Sequence, residues 1–253
     1  MLGMRVSSLG PETLISLQGQ DFASLQKRRY EFFAANELAQ LLKETKASVV
    51  LDVGANEGQF AQGLRKAGYQ GQIHSFEPVS AAFAKLQQAA ITDDGWHAHN
   101  HGFASTECVQ EINVLESTKL SSLLTPNDCG AILGGDVKDT VVKRESVKLT
   151  RLDSFLEQWP GSLGEERVFL KMDTQGFDLQ VFEGLGAKVG NIVGLQSEIS
   201  LRPLYAGMPD WIESVTTYRQ AGFEVVALFP AARQKSDRTV VELDCLMLNT
   251  LND

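Results

Sequence analysis

Residues 49–60, VVLDVGANEGQF, place an apolar run directly before a glycine-containing turn and the start of a helix. An unbroken run of valine and leucine predicts a strand that is buried on both faces, which is typical of parallel sheets covered by helices. Gly54 and Gly58 let the backbone turn tightly and approach a ligand closely. Open α/β sheets bind ligands beyond the carboxyl ends of their strands, so the stretch predicts a binding site at this turn.

The same alternation of apolar runs and helical segments continues along the chain. It predicts strands at 48–53, 72–77, 97–103, 167–173, 192–199, 223–229 and 241–248, and helices at 21–47, 57–67, 80–91 and 209–221. The segment between the last two strands is too short for a helical crossover, so these strands should pair antiparallel. The expected fold is α/β, with a seven-stranded, mostly parallel sheet and an antiparallel C-terminal strand.

One domain accounts for most of the chain. Residues 1–47 are expected to form a helical extension that helps to close the pocket, and residues 48–253 the ligand-binding domain. Residues 104–150 interrupt the α/β pattern with two further strand-like runs around a polar, glycine-bearing loop. A loop of this length is either a functional cover over the site or a surface elaboration, and the sequence leaves both interpretations open.

Composition narrows the classes of partner. The 253 residues include 23 basic and 32 acidic side chains, a formal net charge of −9, and no localised basic patch, so nucleic acid is not an expected partner. The three cysteines fit neither a disulfide framework nor a metal-ligand spacing, which favours a cytoplasmic protein. No secretory leader pattern and no apolar run of about 20 residues is present, so no membrane span is expected.

The glycine turn differs from a dinucleotide-binding loop. Such a loop needs glycine at positions 54, 56 and 59, but the chain has Asn56 and Gln59. Asp52 before the turn tolerates a cationic ligand, because no pyrophosphate has to rest there. Glu77 ends the second strand before Pro78, where a carboxylate can accept hydrogen bonds from ribose hydroxyls. The alternatives are a tight turn without a ligand and a solvated carboxylate.

A set of motifs in a fixed order resembles the FkbM-type methyltransferases, an S-adenosylmethionine-dependent family with a Rossmann-like class I fold. The motifs, which run from residue 49 to about residue 205, are VVLDVGANEGQF, HSFEP, STKLSSL, VKLTRLDSF, FLKMDTQGFDLQVFEGL and SEISLRPLY. Short motifs such as HSFEP are unspecific when taken alone. Their combination in this order is specific to the family.

The resemblance implies S-adenosylmethionine as cofactor. It places Gly54, Asn56 and Gly58 at the methionine end of the cofactor and Glu77 at its ribose. The loop that follows the predicted strand 97–103 is placed at the adenine. The residues expected at the cofactor are Asp52, Gly54, Ala55, Asn56, Gly58, Glu77, Pro78, Gly102, Phe103 and Ala104. The family commonly has glutamate where this chain has Gln175, which weakens any argument for a dedicated metal cage.

Three residues are candidates for catalysis. Asp173 and Glu198 end the fourth and fifth strands, so both should emerge on the rim that carries the glycine turn. Asp173 can accept the proton of a hydroxyl or hold a divalent cation that acidifies it; alternatively it caps a helix or contacts the cofactor's ammonium. His101 is a reserve candidate for the base. His97, His99 and His101 alternate and are expected to face water on one side of a strand.

The expected function is transfer of a methyl group from S-adenosylmethionine to a hydroxyl of a glycan sugar or secondary metabolite, since members of the resembled family act on such acceptors. Methylation of a nitrogen or carboxylate is an alternative within the enzymes. A catalytically silent nucleoside-binding module is the alternative from another class. The sequence leaves the acceptor, the metal dependence and the oligomeric state open.

Overall fold

The computed structural model describes residues 4–9, 12–17, 22–134, 139–158 and 166–251. Its strands are β1 (Met4–Leu9), β2 (Glu12–Leu17), β3 (Val49–Val53), β4 (Gln72–Phe76), β5 (Trp96–His99), β6 (Gly102–Phe103), β7 (Cys108–Leu115), β8 (Val141–Thr150), β9 (Val168–Met172), β10 (Ile192–Ser200), β11 (Phe223–Arg233) and β12 (Val240–Asn249). Its α-helices are α1 (Phe22–Glu44), α2 (Gln59–Lys66), α3 (Ser80–Ala90), α4 (Cys129–Leu133), α5 (Leu152–Glu157), α6 (Asp178–Glu183) and α7 (Trp211–Gln220). Two short 3-10 helices cover Thr118–Leu120 and Gly186–Asn191.

Seven strands form the central sheet in the order β11-β12-β10-β9-β3-β4-β5. The neighbours from β10 to β5 pair parallel, whereas β12 pairs antiparallel with both β10 and β11. This confirms the predicted α/β fold with a mostly parallel seven-stranded sheet and an antiparallel C-terminal strand. The carboxyl ends of β3, β4, β9 and β10 therefore meet at one edge of the sheet.

Helices cover both faces of the sheet, and each face has its own apolar core. On one face α5, α6 and α7 pack against side chains such as Leu51 and Leu170. On the other face α1, α2 and α3 pack against Val50 and Phe169. β3 is buried on both sides, which explains its apolar residues Val49–Leu51 and Val53; Asp52 is the charged exception within it.

The predicted strand at 97–103 is wrong in its extent. The chain leaves the central sheet at Asn100, whose side-chain amide donates to the carbonyl oxygens of Glu77 at 2.9 Å and Pro78 at 3.1 Å. It then pairs through β6 with β8 in a separate three-stranded sheet. His101 therefore lies between two strands and does not share a strand face with His97 and His99.

The insertion and the N-terminal extension also have strands of their own. In the insertion β7 and β8 pair antiparallel, in agreement with the two strand-like runs of the sequence. Before α1, β1 and β2 form an antiparallel hairpin, which the sequence analysis does not predict. The insertion thus adds a small sheet beside the carboxyl edge of the central sheet.

The turn after β3 is fixed by backbone hydrogen bonds to both neighbouring strands. The amides of Gly54 and Ala55 each donate to the Phe76 carbonyl at 3.0 Å, and the Asp173 amide donates to the Val53 carbonyl at 3.1 Å. Gly54 has a φ of 76°, and a side chain there would overlap the backbone carbonyl of Asp173. Only glycine therefore allows β3 and β9 to approach each other this closely at their ends.

We expect Gly54→Ala to destabilise the protein by about 1–3 kcal/mol more than Gly68→Ala, because an overpacked contact adds to the backbone strain. Gly68 is the matched control, since its φ is 93° and nothing lies within 4 Å of an added Cβ atom. Urea denaturation of both variants measures the difference. Equal losses of unfolding free energy would show that the close approach at Gly54 has no energetic importance.

Candidate active site

A cavity of about 700 Å³ opens at the carboxyl edge of the sheet. Its floor is the turn after β3 and the ends of β9 and β10, and α1 forms one side. The insertion contributes the residues that follow β7. Of the residues predicted from the sequence, those on its wall are Gly54, Ala55, Asn56, Glu77, Pro78, His101, Gly102, Phe103, Asp173 and Glu198.

A buried ion pair between Lys171, on the cavity wall, and Asp52, beneath it, supports the floor of this cavity. Asp52 and Lys171 are register partners on β3 and β9, and the Lys171 ammonium lies 3.0 Å from the Asp52 carboxylate. Ser75, the register partner of Asp52 on β4, donates its hydroxyl to the same carboxylate at 2.9 Å. Both charged groups are almost fully buried, with 0% of Asp52 and 4% of Lys171 exposed. A buried charge needs such a partner, so each residue fixes the other.

Lys171 also connects the floor of the cavity to its rim. Its ammonium donates to the Gly54 carbonyl at 3.2 Å and lies 3.6 Å from the Asp173 carboxylate. Burial opposes the charged form, but the carboxylates of Asp52 and Asp173 outweigh it and raise the pKa of Lys171. The lysine is therefore charged at every physiological pH. It ties the glycine turn to the end of β9.

Glu77 is a buried carboxylate that faces the cavity. Its two oxygens each accept one backbone amide hydrogen, from Asn56 at 2.8 Å and from Val79 at 2.8 Å. Burial raises the pKa of Glu77 to about 7, although these two hydrogen bonds oppose the rise. A carboxylate has about four acceptor positions, so the group can still accept hydrogen bonds from a ligand. This geometry fits a pair of ribose hydroxyls.

The opposite wall of the cavity is acidic. Glu198 on β10 and Asp244 on β12 are register partners, and Glu242 lies two positions along β12 on the same face. Burial raises the pKa of Glu242 to about 7 and of Asp244 to about 6, and the charge of Asp173 adds to both effects. Burial and the charges of Glu242 and Asp173 also raise the pKa of Glu198. The wall therefore disfavours an anionic ligand and suits a neutral or cationic one.

The Gln175 side chain links the rim to the insertion. Its amide nitrogen donates to Asp173 and to Glu198, both at 2.9 Å. Its amide oxygen lies 2.7 Å from the Tyr205 hydroxyl, which also lies 2.9 Å from the Leu120 carbonyl. The Asp173 carboxylate therefore contacts Gln175 and Lys171. It is the neighbouring carboxylate of Asp178 that accepts hydrogen bonds from the Thr174 amide and the Ser197 hydroxyl.

The insertion reaches the glycine turn. The Thr118 hydroxyl lies 3.5 Å from the Asn56 side-chain oxygen, and the Ser122 hydroxyl donates to the Gln175 carbonyl at 2.7 Å. The residues of this segment on the cavity wall are Thr118, Lys119, Leu120, Ser121 and Leu123. The sequence motif STKLSSL thus lies across the site from the sheet.

Not every predicted cofactor residue lies on the cavity wall. Asp52 is beneath the floor with Lys171, and Gly58 packs against the Trp96 ring at the start of α2. Ala104 belongs to the apolar cluster that includes Val79 and Leu149. These three residues support the wall from behind. Gly102 and Phe103 line the cavity beside Pro78.

The histidines have structural partners. His99 stacks on Phe76 at 4.7 Å between ring centroids, and its ring nitrogen lies 3.0 Å from that of His74. The expectation that these histidines face water is therefore wrong for His99, whose pKa burial lowers to about 4. His101 lies on the cavity wall, where its ring nitrogen is 2.6 Å from the Thr150 hydroxyl.

Several classes of site are absent from the part of the chain that the structure describes. Among these residues no three histidine, cysteine, aspartate or glutamate side chains converge on a position for a metal ion. No helix of the described ranges is long and apolar enough to cross a bilayer. All three cysteines, Cys108, Cys129 and Cys245, are free.

Several polar residues of the cavity wall were not predicted from the sequence, among them Lys171, Gln196, Glu242 and Asp244. Three of these four have a signal in the sequence. Lys171 interrupts the apolar run VFLKM, and Glu242 and Asp244 alternate with apolar residues in VELDCL, which places both on one face of a strand. Lys171 lies inside β9, and Glu242 and Asp244 lie on the antiparallel strand β12, so none of the three ends a parallel strand, where ligands of open α/β sheets are expected.

The sequence matches a known protein family. The profile of the methyltransferase FkbM domain matches residues 52–225, which is more than half of the chain. The matched range begins at Asp52 and includes the glycine turn, Glu77, Asp173 and Glu198. A search of curated protein sequences finds no significant match to this chain.

Solved structures with low sequence identity resemble the chain. An rRNA methylase from Streptococcus thermophilus has 12% identity and a TM-score of 0.43, with 84% of this chain and 94% of that chain covered. A magnesium protoporphyrin IX methyltransferase from Synechocystis PCC 6803, solved with bound SAM, has 10% identity and a TM-score of 0.44, with 91% and 86% covered. Aeropyrum pernix fibrillarin, with natively bound S-adenosyl-L-methionine, has 12% identity and a TM-score of 0.41, with 97% and 83% covered.

We expect Lys171→Met to lower the free energy of unfolding by about 3–5 kcal/mol, because it leaves the buried Asp52 carboxylate without its cation. Lys85→Ala is the control, since the ion pair of Lys85 with Glu57 lies at the surface and is expected to contribute about 1 kcal/mol or less. Urea denaturation at pH 7 measures both. A similar small loss in both variants would contradict the structural role of the buried pair.

Proposed function

This chain belongs to the FkbM methyltransferase family, and we propose that it transfers a methyl group from S-adenosylmethionine to a hydroxyl oxygen of a sugar or another hydroxylated small molecule. One observation carries the proposal. A cavity large enough for a nucleoside and an acceptor has the Glu77 carboxylate on one wall and the Asp173 carboxylate on its floor. A cytoplasmic location and small-molecule partners remain predictions from the sequence.

The cofactor half of the cavity fits a nucleoside. Glu77 is held by two backbone amides with acceptor positions left over, so it can bind both ribose hydroxyls without first changing its conformation. Gly102 and Phe103 flank it and form a wall for the adenine ring. The glycine turn then holds the methionine end beside Asp173. When bound, S-adenosylmethionine supplies an electrophilic methyl group.

The acceptor half lies over the ends of β9 and β10. The Asp173 side chain is 41% exposed, so an acceptor hydroxyl can reach its carboxylate. We assign to Asp173 the removal of the hydroxyl proton as the oxygen attacks, because an alcohol is a weak nucleophile while it keeps that proton. Glu198 orients the acceptor from the next strand. Positioning of the oxygen in line with the methyl group accounts for much of the remaining rate enhancement.

The charge of the cavity favours a hydroxyl over an anionic acceptor. Glu198, Glu242 and Asp244 would repel a carboxylate or a phosphate, which argues against carboxyl methylation and against a nucleic-acid acceptor. An amine would be attracted by the same wall, so nitrogen methylation is the second candidate. Incubation with a panel of monosaccharides, glycosides and amino sugars, followed by NMR of the products, distinguishes an O-methyl from an N-methyl group. Methyl groups found only on nitrogen would overturn the proposal.

We expect Glu77→Ala to weaken S-adenosylmethionine binding by about 10- to 100-fold, because hydrogen bonds to a charged acceptor contribute about 1.5–3 kcal/mol. Glu57→Ala is the matched control: it removes a carboxylate from the same loop, and Glu57 pairs with Lys85 at the surface. Calorimetry gives both affinities. If Glu77→Ala binds S-adenosylmethionine with unchanged affinity, the cofactor does not bind through Glu77.

We expect Asp173→Asn to reduce kcat by about 10²- to 10⁴-fold, the usual contribution of a general base, because the amide keeps the shape and cannot take the proton. Cofactor affinity, measured by calorimetry, should change by less than about threefold if the carboxylate acts on the acceptor. Near-normal turnover would show that Asp173 has a structural role, and His101 and Glu198 would then be the candidates for the general base. A wild-type rate that a chelator abolishes and magnesium restores would instead assign Asp173 to a cation.

A further inference from the structure

We propose that Gln175 is a positioning residue that orients the carboxyl groups of Asp173 and Glu198 and favours the ionised form of Glu198. The inference rests on the proposed function, because it gives the pair its role toward the acceptor. Gln175 does not need to touch the acceptor itself.

The first support is the geometry of the amide. The nitrogen of Gln175 has two hydrogens, and its two acceptors are an Asp173 oxygen and a Glu198 oxygen, each at 2.9 Å. Both hydrogens are therefore committed, one to each carboxyl group. The remaining oxygen of each group is left for other partners, which for Asp173 include Lys171 at 3.6 Å. A single side chain thus sets the orientation of both carboxyl groups.

The second support is that the amide is locked in this orientation. A flipped amide would turn its oxygen toward the Asp173 and Glu198 oxygens at 2.9 Å, which is unfavourable while these groups are ionised, and the buried Tyr205 hydroxyl lies 2.7 Å from the amide oxygen in the orientation observed. The backbone of Gln175 has a φ of 53°, in the left-handed region that few side chains adopt. The Ser122 hydroxyl donates a hydrogen bond to the backbone carbonyl of Gln175 at 2.7 Å and so stabilises this strained conformation. The strained backbone conformation of Gln175 thus places its side-chain amide between the two carboxyl groups.

The third support is the charge around the pair. Glu242, Asp244 and Asp178 act on Glu198 from β12 and α6, and together with burial they raise its pKa. Lys171 is the cation that lies 3.6 Å from Asp173, and Gln175 contacts both carboxyl groups as a neutral group. The Tyr205 hydroxyl contacts Gln175. Donation from Gln175 to Glu198 stabilises the ionised form of this carboxyl group and opposes that rise. A glutamate at this position would supply no donor hydrogen when ionised and would add a third negative charge.

Titration of Gln175→Glu tests the inference directly. In protein labelled with ¹³C at the glutamate carboxyls, the Glu198 signal is assigned by its loss in Glu198→Gln. We expect its titration midpoint to move upward by about one pH unit or more in Gln175→Glu, because an added like charge and the loss of a donor both disfavour ionisation. The measurement needs no acceptor, so it stands even if the proposed function fails.

Gln196→Glu is the matched control. Gln196 lies on the same cavity wall and donates to Asp244 at 3.1 Å, so its replacement adds the same charge and leaves both Gln175 bonds intact. We expect a smaller shift of the Glu198 midpoint. A shift as large as that of Gln175→Glu would overturn the inference, because general charge in the cavity would then suffice.

Two further measurements complete the test. Gln175→Met removes the donor hydrogens without adding charge, and it should move the Glu198 midpoint upward even if Gln175→Glu does not fold. With an acceptor, the acidic limb of the kcat profile of Gln175→Glu should move upward with the midpoint, while S-adenosylmethionine affinity stays within about threefold. An unmoved midpoint in Gln175→Met or in folded Gln175→Glu would overturn the inference.

Discussion

The buried ion pair between Lys171 and Asp52 is the constraint on which the rest of the site depends. Two opposite charges can remain inside a sheet only when each compensates the other, so β3 and β9 are held in the register that brings them together. The same ammonium reaches the Gly54 carbonyl and the Asp173 carboxylate. The glycine turn and the carboxylate to which we assign the acceptor proton are therefore fixed by one cation.

The two ends of the cavity use buried carboxylates in different ways. Glu77 is isolated and tied by two backbone amides, which prepares it for hydroxyl groups of a rigid ligand. Burial and the charge of Asp173 raise the pKa values of Glu198, Glu242 and Asp244, and the repulsion that contributes to these shifts lowers stability. An arrangement that costs stability is typical of a functional site. Here it suits an acceptor that is uncharged or positively charged.

Much of the fold was predictable because buried parallel strands leave an unmistakable apolar pattern, as in residues 49–53. The end of β5 at His99 was not predictable, because the Asn100 side chain turns the chain away from the sheet through its hydrogen bonds to the carbonyl oxygens of Glu77 and Pro78. The roles of Asp173 and Glu198 stay predictions, although their shared rim follows from their positions at strand ends. The contributions of Lys171 and Gln175 depend on register and on a left-handed backbone conformation, neither of which the sequence reveals by itself.

A crystal structure with bound S-adenosylhomocysteine tests the central claim most directly, since it locates the cofactor product relative to the rim. The account predicts both ribose hydroxyls within hydrogen-bonding distance of the Glu77 carboxylate, with the sulfur on the side of the Gly54 turn that faces Asp173. A ligand bound with its ribose away from Glu77, or with its sulfur remote from Asp173, would contradict the assignment of this cavity as the methyl-transfer site.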